Sequence, residues 1–267
     1  MTESFNCAWN IQLVQGRPDN PDMKNFTIVA HRGFAGKYPE NTMAAMRAAT
    51  EAGIHHLELD IQLTRDGVPV LLHDDTLDRT TNSTGSIFEY DLDDLAGVSN
   101  GEPARLGNTF SGERIVTLET FINWLAKDSQ RHVYVEVKDE CLDHFGFDYV
   151  IDKVLQIIGK DNTQVTIIGY DLNFLLAVRQ RGWQGIGWVL TAFNEEEKRL
   201  AEQHQPDVII CNYKKVNTAL WQGQWQWMFY EITEAALARH WVEQGASFIE
   251  TMEVANLTAG LEQSEWQ

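Results

Sequence analysis

The sequence predicts a closed (β/α)8 barrel, and three observations favour this fold. The chain has 267 residues, and one such barrel typically takes roughly 250 residues. Eight short apolar runs have the length of strands. Stretches with helical periodicity alternate with these runs, which is the pattern of parallel strands joined by helices. A doubly wound open sheet is the alternative, and a count of eight strands disfavours it.

The predicted elements alternate along most of the chain. The strands are expected at 26–30, 56–62, 132–137, 164–168, 185–189, 207–210, 226–230 and 247–250. The helices are expected at 42–52, 119–127, 147–159, 171–181, 194–204, 216–223 and 233–244. Four of these helices are followed by a glycine of the kind that ends helices, namely Gly53, Gly159, Gly182 and Gly245.

One stretch, 63–115, interrupts this alternation. It begins with a hairpin signal at Asp66-Gly67 and is rich in Thr, Asn, Asp, Ser and Gly. A loop of roughly 50 residues without structure is uncommon in a compact domain, so we expect an inserted subdomain that caps the strand ends. The sequence thus predicts a polar N-terminal extension over 1–25 and a catalytic barrel domain over 26–267 with this insertion.

The composition excludes several classes of protein. The net charge is −18, which argues against a nucleic-acid binder and against docking on anionic lipid through a basic patch. No apolar run has the length of a membrane span, and the first residues lack the pattern of a signal peptide, so we expect a cytoplasmic protein without a stable membrane anchor. The three cysteines, Cys7, Cys141 and Cys211, are far apart, and we interpret them as reduced and structural.

The segment 31–41 carries the strongest functional signal. His31 and Arg32 follow the strand at 26–30, and a glycine-bearing loop leads from them to a helix. Barrels carry their chemistry at such strand ends. An imidazole beside a guanidinium indicates proton transfer next to an anion, which we infer to be a phosphodiester. Arg32 could hold two phosphate oxygens, and Glu40 could orient a neighbouring group.

Acidic side chains end two of the predicted strands. Side chains alternate along a strand, so Glu58 and Asp60 point the same way, roughly 6.6 Å apart. Glu136 occupies a similar position in the next barrel strand. Carboxylates that converge repel one another unless a cation lies between them. A divalent ion with oxygen ligands would meet that need, and salt bridges to Arg or Lys are the alternative.

Two further side chains complete the candidate site. Lys138 shares the face of Glu136 and could contact a phosphate as a point charge, or could simply pair with Glu136. His73 ends an apolar run, where a lone histidine is usually structural. Together with His31, however, it could provide the acid and the base on opposite sides of a phosphodiester.

Several motifs resemble those of the glycerophosphodiester phosphodiesterases, in the order of that family. The likeness covers about 28–138 and rests on His31-Arg-Gly, Pro39-Glu-Asn-Thr42, Glu58-Leu-Asp60, Asp66-Gly-Val-Pro-Val, His73-Asp-Asp-Thr-Leu-Asp-Arg-Thr-Thr81, Thr117-Leu-Glu119 and Glu136-Val-Lys138. The resemblance implies a TIM-type barrel that hydrolyses glycerophosphodiesters to glycerol 3-phosphate and an alcohol. It implies one Mg²⁺ or Ca²⁺ ion on Glu58, Asp60 and Glu136 with Glu40 nearby, acid–base catalysis by His31 and His73, and phosphate contacts from Arg32 and Lys138.

The C-terminal third departs from the family pattern. Where the family commonly has Trp-Thr-Val-Asn, this chain has Tyr230-Glu-Ile-Thr233, and Glu250-Thr-Met252 replaces Ile-Thr-Asp. Hydrolysis at phosphorus is therefore better supported than glycerol as the bound group. We expect Glu231 to favour a cationic head group such as choline.

Two other functions remain open from the sequence. A lysophospholipase D-type enzyme would act on longer lipids and would need an apolar groove, which Tyr230 and the Trp-rich run 221–227 could provide. That run is more commonly part of a core. A non-catalytic barrel that binds a phosphorylated ligand is the third possibility.

Overall fold

Eight parallel strands form a closed barrel in the computed structural model, which describes residues 26–263. The strands are β1 (Thr27–Ala30), β2 (His56–Leu63), β3 (Pro69–Leu71), β4 (His132–Val137), β5 (Val165–Gly169), β6 (Ile186–Val189), β7 (Val208–Asn212), β8 (Gln226–Tyr230) and β9 (Ala246–Thr251). All except β3 belong to the barrel, and β9 pairs with β1 to close it. Strand β3 pairs antiparallel with the end of β2. The predicted barrel is confirmed.

Helices surround this barrel. They are α1 (Met43–Glu51), α2 (Pro103–Leu106), α3 (Leu118–Leu125), α4 (Asp139–Phe145), α5 (Phe147–Ile158), α6 (Leu172–Gln180), α7 (Glu195–His204), α8 (Ala235–Gln244) and α9 (Val254–Gln263). The side chains of Thr42 and Asp171 cap α1 and α6 by accepting backbone N–H groups. Six of the seven predicted helices are present, and the prediction for 216–223 is wrong.

Tryptophan packing explains the missing helix. The rings of Trp221, Trp225 and Trp227 are buried, and Trp221 stacks on Phe193 with the ring centroids 4.3 Å apart. A Cβ on Gly223 would clash with the ring of Trp225. The segment therefore follows an irregular path that buries its aromatic rings between strands and helices. The interpretation of this run as core is confirmed, and it provides no groove for a lipid chain.

The period-two alternation of β2 separates two environments. Leu57, Leu59 and Ile61 pack in the apolar layer beneath the helices, whereas Glu58 and Asp60 face the barrel interior. An apolar cluster fills the interior below these carboxylates and consists of Val29, Tyr134, Ile168, Val189, Val208, Ile210, Met228 and Phe248. This cluster separates the carboxylates at the carboxyl ends of the strands from the opposite end of the barrel.

The segment between β2 and α3 has an apolar cluster of its own. This cluster contains Val70, Leu72, Leu77, Ile87 and Leu95. Two short 3₁₀ turns, Ile87–Glu89 and Leu92–Leu95, lie within the segment. Its Arg105 donates to the carbonyl oxygen of Tyr38, in the loop after β1, at 2.8 Å. The domain boundaries drawn from the sequence stay a prediction.

Three further predictions concern the N-terminal extension, the cysteines and membrane-spanning helices. The extension over 1–25, with Cys7, lies outside the described residues. Cys141 and Cys211 are buried free thiols, and burial raises the pKa of each to about 12. Between residues 26 and 263, no helix has the length and apolarity that crossing a bilayer requires.

Candidate active site

The register of the barrel strands brings the candidate side chains to one mouth. Asp60 lies beside Glu136 in the β2–β4 pair, and Val29 lies beside Glu250 in the β1–β9 pair. The backbone N–H of His31 donates to the carbonyl oxygen of Thr251 at 3.0 Å, so the loop after β1 is fixed to the end of β9. The site is thus assembled from the first strands and the last.

Three carboxylates form the centre of the mouth. Glu58, Asp60 and Glu136 each offer one oxygen, and these oxygens lie within 4.8 Å of one another. Glu58 and Asp60 are each only 1% exposed. The Oε1 atom of Glu58 is buried and has no hydrogen-bond partner in the described part of the chain. Because hard divalent cations prefer oxygen ligands, this group fits a Mg²⁺ or Ca²⁺ ion.

Basic side chains neutralise part of this cluster. The Nζ of Lys138 lies 2.7 Å from Glu136 Oε1 and 3.5 Å from Asp60 Oδ1. The Nε of Arg32 lies 3.1 Å from Asp60 Oδ2, although its N–H is not aligned for a hydrogen bond. Salt bridges therefore neutralise Asp60 and Glu136, whereas no described Lys or Arg side chain forms one with Glu58. The cluster as a whole is consistent with a divalent cation.

The pKa values follow this uneven neutralisation. Burial raises the pKa of Glu58 well above its usual range, and the nearby charge of Asp60 adds to the effect. Burial acts in the same direction on Asp60, but Arg32 and Lys138 outweigh it and hold the pKa of that carboxyl well below its usual range. A bound cation would stabilise the ionised form of Glu58, which the protein alone disfavours.

The loop after β1 adopts an unusual backbone to reach this cluster. Arg32 has φ 54°, and its N–H donates to Glu58 Oε2 at 2.9 Å. The next residue, Gly33, has φ +76°, and a Cβ there would lie 2.8 Å from the backbone of Ala45. Only glycine fits both the left-handed conformation and this close approach.

Asn41 holds Asp60 from the same loop. Its Nδ2 donates to Asp60 Oδ2 at 2.8 Å, and its Oδ1 accepts the backbone N–H of Asp60 at 3.1 Å. Its φ of 55° places it in the left-handed region. Thr42 provides the cap of α1, and Asn41 orients the carboxylate of Asp60.

A chain of ion pairs connects His73 to the loop after β1. His73 Nδ1 lies 2.6 Å from Asp74 Oδ1, and Arg79 donates to both oxygens of Asp74 at 2.7 and 2.9 Å. Arg79 also donates to both oxygens of Glu40 at 2.8 Å, and Arg32 Nη1 donates to Glu40 Oε1 at 2.9 Å. Glu40 therefore pairs with both arginines, and the orienting role expected for it from the sequence stays a prediction. The bridging role of Arg79 was not predicted, although the residue lies in the same motif as His73.

His31 contacts acidic groups on both sides of its ring. Its Nδ1 lies 2.6 Å from Glu231 Oε2, and its Nε2 lies 3.9 Å from Glu58 Oε2. Burial alone would lower the pKa of His31, but Glu250, the hydrogen bond to Glu231 and Glu58 outweigh it and raise the pKa to about 10. In the absence of a cation, these acidic neighbours favour the protonated form of His31, which suits a proton donor.

Glu250 is a carboxylate that the sequence analysis did not place in the site. It is 3% exposed, and burial, together with nearby acidic groups, raises its pKa to about 7. With His31 and Glu58 it forms a second group whose ligand atoms lie within 4.8 Å of one another. Its position in an apolar strand resembles that of Glu136, and this signal could have identified it.

Solved structures share the fold of this chain. A phosphodiesterase from Oleispira antarctica, solved in complex with the product sn-glycerol-3-phosphate, superposes with a TM-score of 0.76 at 23% identity, covering 88% of this chain and 96% of that one. A putative glycerophosphoryl diester phosphodiesterase from Silicibacter pomeroyi gives 0.76 at 17% identity, covering 90% and 94%. At such identities the likeness concerns the fold alone.

A family model decides the relationship. The model of the glycerophosphoryl diester phosphodiesterase family matches residues 31–182, more than half of the chain. The chain belongs to this family. The matched range contains every candidate residue from His31 to Lys138, whereas Glu231 and Glu250 lie beyond it.

Curated members of the glycerophosphoryl diester phosphodiesterase family match over part of their length. A glycerophosphodiester phosphodiesterase from Caldanaerobacter subterraneus is 36% identical over 141 residues, which cover 53% of this chain and 56% of the relative. Human glycerophosphodiester phosphodiesterase 1 is 39% identical over 118 residues, covering 44% and 31%. The match thus spans about half of the bacterial relative and a third of the human one.

Proposed function

We propose that this protein hydrolyses glycerophosphodiesters to glycerol 3-phosphate and an alcohol, using one divalent cation. The observation that carries the proposal is the convergence of three carboxylates, an imidazole and two basic side chains at one barrel mouth. These groups belong to Glu58, Asp60, Glu136, His31, Arg32 and Lys138. The activities named for the curated relatives, and the product held by the Oleispira antarctica enzyme, support the same reaction.

The cation would be held by Glu58, Asp60 and Glu136. When bound, it would supply positive charge for the phosphoryl oxygens. The choice between Mg²⁺ and Ca²⁺ stays open, because both prefer oxygen ligands.

The basic side chains would bind the phosphate. The ammonium group of Lys138 forms salt bridges with Glu136 and Asp60. Because an ammonium has three N–H donors, it can also donate to a third acceptor. Arg32 is engaged through Nη1 and Nε, and its Nη2 makes no hydrogen bond to any described residue. These donors would hold the phosphate oxygens beside the carboxylate cluster.

The two histidines would exchange protons with the substrate. Water attacks phosphorus as the bond from phosphorus to the alcohol oxygen breaks. One histidine accepts the proton of the water, and the other donates a proton to the departing alcohol. His31 and His73 each present Nδ1 to a carboxylate at 2.6 Å, which leaves Nε2 of each ring for this transfer.

Hydrolysis of glycerophosphocholine tests the proposal. Release of glycerol 3-phosphate is measured with Mg²⁺, with Ca²⁺, with EDTA, and in His31→Ala and His73→Ala. We expect activity only with a divalent cation and a large loss in both variants. Glu243→Gln, an exposed position on α8, serves as the matched control and should retain full activity. Turnover that persists in EDTA and in His31→Ala would refute the mechanism.

The alternatives have less support from the structure. A lysophospholipase D-type activity would need an apolar groove, and the tryptophans that the sequence suggested for this groove are buried. A direct comparison of lysophosphatidylcholine with glycerophosphocholine separates these substrates. A non-catalytic barrel would bind glycerol 3-phosphate without turning over any diester. The cytoplasmic location stays a prediction.

A further inference from the structure

Glu231 is fixed between the ends of three strands. It directly follows β8, its Oε2 lies 2.6 Å from His31 Nδ1 after β1, and its Oε1 accepts the backbone N–H of Met252 after β9 at 2.6 Å. Both carboxylate oxygens are therefore engaged within the protein. This geometry does not support the expectation that Glu231 binds a cationic head group.

We propose that Glu231 is a positioning residue that fixes the tautomer and ring orientation of His31 for proton transfer. The inference rests on the proposed function and concerns a residue outside the family match. A carboxylate accepts hydrogen bonds only, so the Nδ1 atom of His31 must carry a proton. The nitrogen left for transfer is then Nε2, which faces the carboxylate cluster 3.9 Å from Glu58 Oε2.

The second histidine shows the same arrangement. His73 Nδ1 also lies 2.6 Å from a carboxylate, that of Asp74, and Arg79 holds this carboxylate through two hydrogen bonds. In both cases a second donor also binds the carboxylate and holds it in place. The guanidinium of Arg79 binds Asp74, and the backbone N–H of Met252 binds Glu231. Such partners set which ring nitrogen can exchange a proton.

Other groups around His31 do not provide this control. Glu250 approaches His31, but its side chain makes no hydrogen bond with any described residue. Glu58 faces Nε2 at 3.9 Å, which is beyond hydrogen-bond distance. The ring of Tyr230 lies 6.5 Å away between centroids and contributes no polar contact. The orientation of the imidazole therefore depends on Glu231.

The first test reads the tautomer directly and needs no substrate. Protein labelled with ¹⁵N-histidine is compared by NMR with Glu231→Gln in saturating Mg²⁺, because a cation beside Glu58 favours the neutral ring of His31, in which only one nitrogen carries a proton. The His31 signals are assigned by their loss in His31→Asn. We expect a downfield proton on His31 Nδ1 in the wild type, and its loss or strong upfield shift in Glu231→Gln. A wild-type His31 without a proton on Nδ1 would overturn the proposal.

The second test measures catalysis on glycerophosphocholine with Mg²⁺. We expect Glu231→Gln to lower kcat by about 10- to 100-fold, as loss of a carboxylate that orients a histidine commonly does, with KM changed less than twofold. Glu243→Gln is the matched control. A kcat within twofold of wild type in a folded Glu231→Gln protein would refute the role.

A variant that leaves a cavity at Glu231 separates a positioning role from a purely structural role of this side chain. The side chain of Glu231 is 28% exposed, so a small anion can reach its place in Glu231→Ala. We expect added formate to restore part of the kcat of this variant and to leave wild type unchanged; loss without any rescue would argue against positioning. If wild type hydrolyses no diester, the proposed function fails, and the NMR comparison still decides the tautomer.

Discussion

Two histidines stacked at the lower end of the barrel should make the protein sensitive to acid. His56 and His132 face each other across the β2–β4 pair, with ring centroids 5.3 Å apart. His132 Nε2 lies 2.9 Å from Thr166 Oγ1, whereas His56 Nδ1 has no partner among the described residues. Burial lowers the pKa of His56 from 6.5 to about 4 and that of His132 from 6.5 to about 3, with a smaller contribution from a neighbouring histidine in each case.

The linkage between proton binding and folding gives the direction and size of this change in the free energy of unfolding. Both folded-state pKa values are depressed, so the stability contribution is complete above the unfolded value of 6.5 and decreases as pH falls toward 4 and 3. At pH 5 the unfolded chain binds a proton at each position and the folded chain does not. Each histidine then lowers the free energy of unfolding by about 2 kcal/mol relative to pH 8.

Urea denaturation followed by tryptophan fluorescence measures this effect. Wild type and His132→Gln are compared at pH 8 and pH 5, both in EDTA so that cation binding does not contribute. We expect the variant to lose about 2 kcal/mol less than wild type over this interval. The exposed His240, changed to Gln, is the control. Equal losses in wild type and His132→Gln would refute the reasoning.

Three more predictions address the site and the packing. Saturating Mg²⁺ or Ca²⁺ in place of EDTA should raise the melting temperature by about 5–10 °C, because a ligand at 100 times its Kd adds about 2.7 kcal/mol to the free energy of unfolding. Glu58→Gln should remove this rise. An equal rise in that variant would contradict the cation site. Asn41→Ala deletes two hydrogen bonds to Asp60, and urea denaturation should show a cost of about 2–4 kcal/mol, whereas a cost near zero would assign Asn41 no structural role. In Gly187→Ala the new Cβ would lie 2.8 Å from Ile168 Cγ2, and overpacking should lower stability by about 1–3 kcal/mol; calorimetry that detects no change would show that the barrel interior adjusts.

The fold was predictable because its signals are local and regular. Parallel strands gave uniform apolar runs, and the glycines after the helices marked their ends. The prediction of a helix at 216–223 was wrong because the chain buries three tryptophans in and beside this segment. This requirement comes from tertiary packing, and helical periodicity in the sequence does not show it. The short α4 had no counterpart among the predicted helices, because it follows the functional strand end at Lys138 without a break.

The site was predictable where side chains alternate along strands. Alternation in β2 and β4 and the register between them placed Glu58, Asp60 and Glu136 together. Residues on loops were harder, because their direction depends on backbone angles that only the folded chain defines. Asn41 reaches Asp60 through a left-handed conformation, and Glu231 hydrogen-bonds to His31 across the ends of β8 and β1.

The pairing of β1 with β9 has a consequence for how the chain acquires its structure during synthesis. Thr27 pairs with Phe248, so the second edge of β1 stays uncovered until β9 (Ala246–Thr251) has been synthesised. Contacts this distant in sequence form slowly, because a long loop must close first. Until then β1 presents an open edge that can associate with other chains. Docking of β9 thus covers this edge and at the same time gives His31 its contact with Thr251.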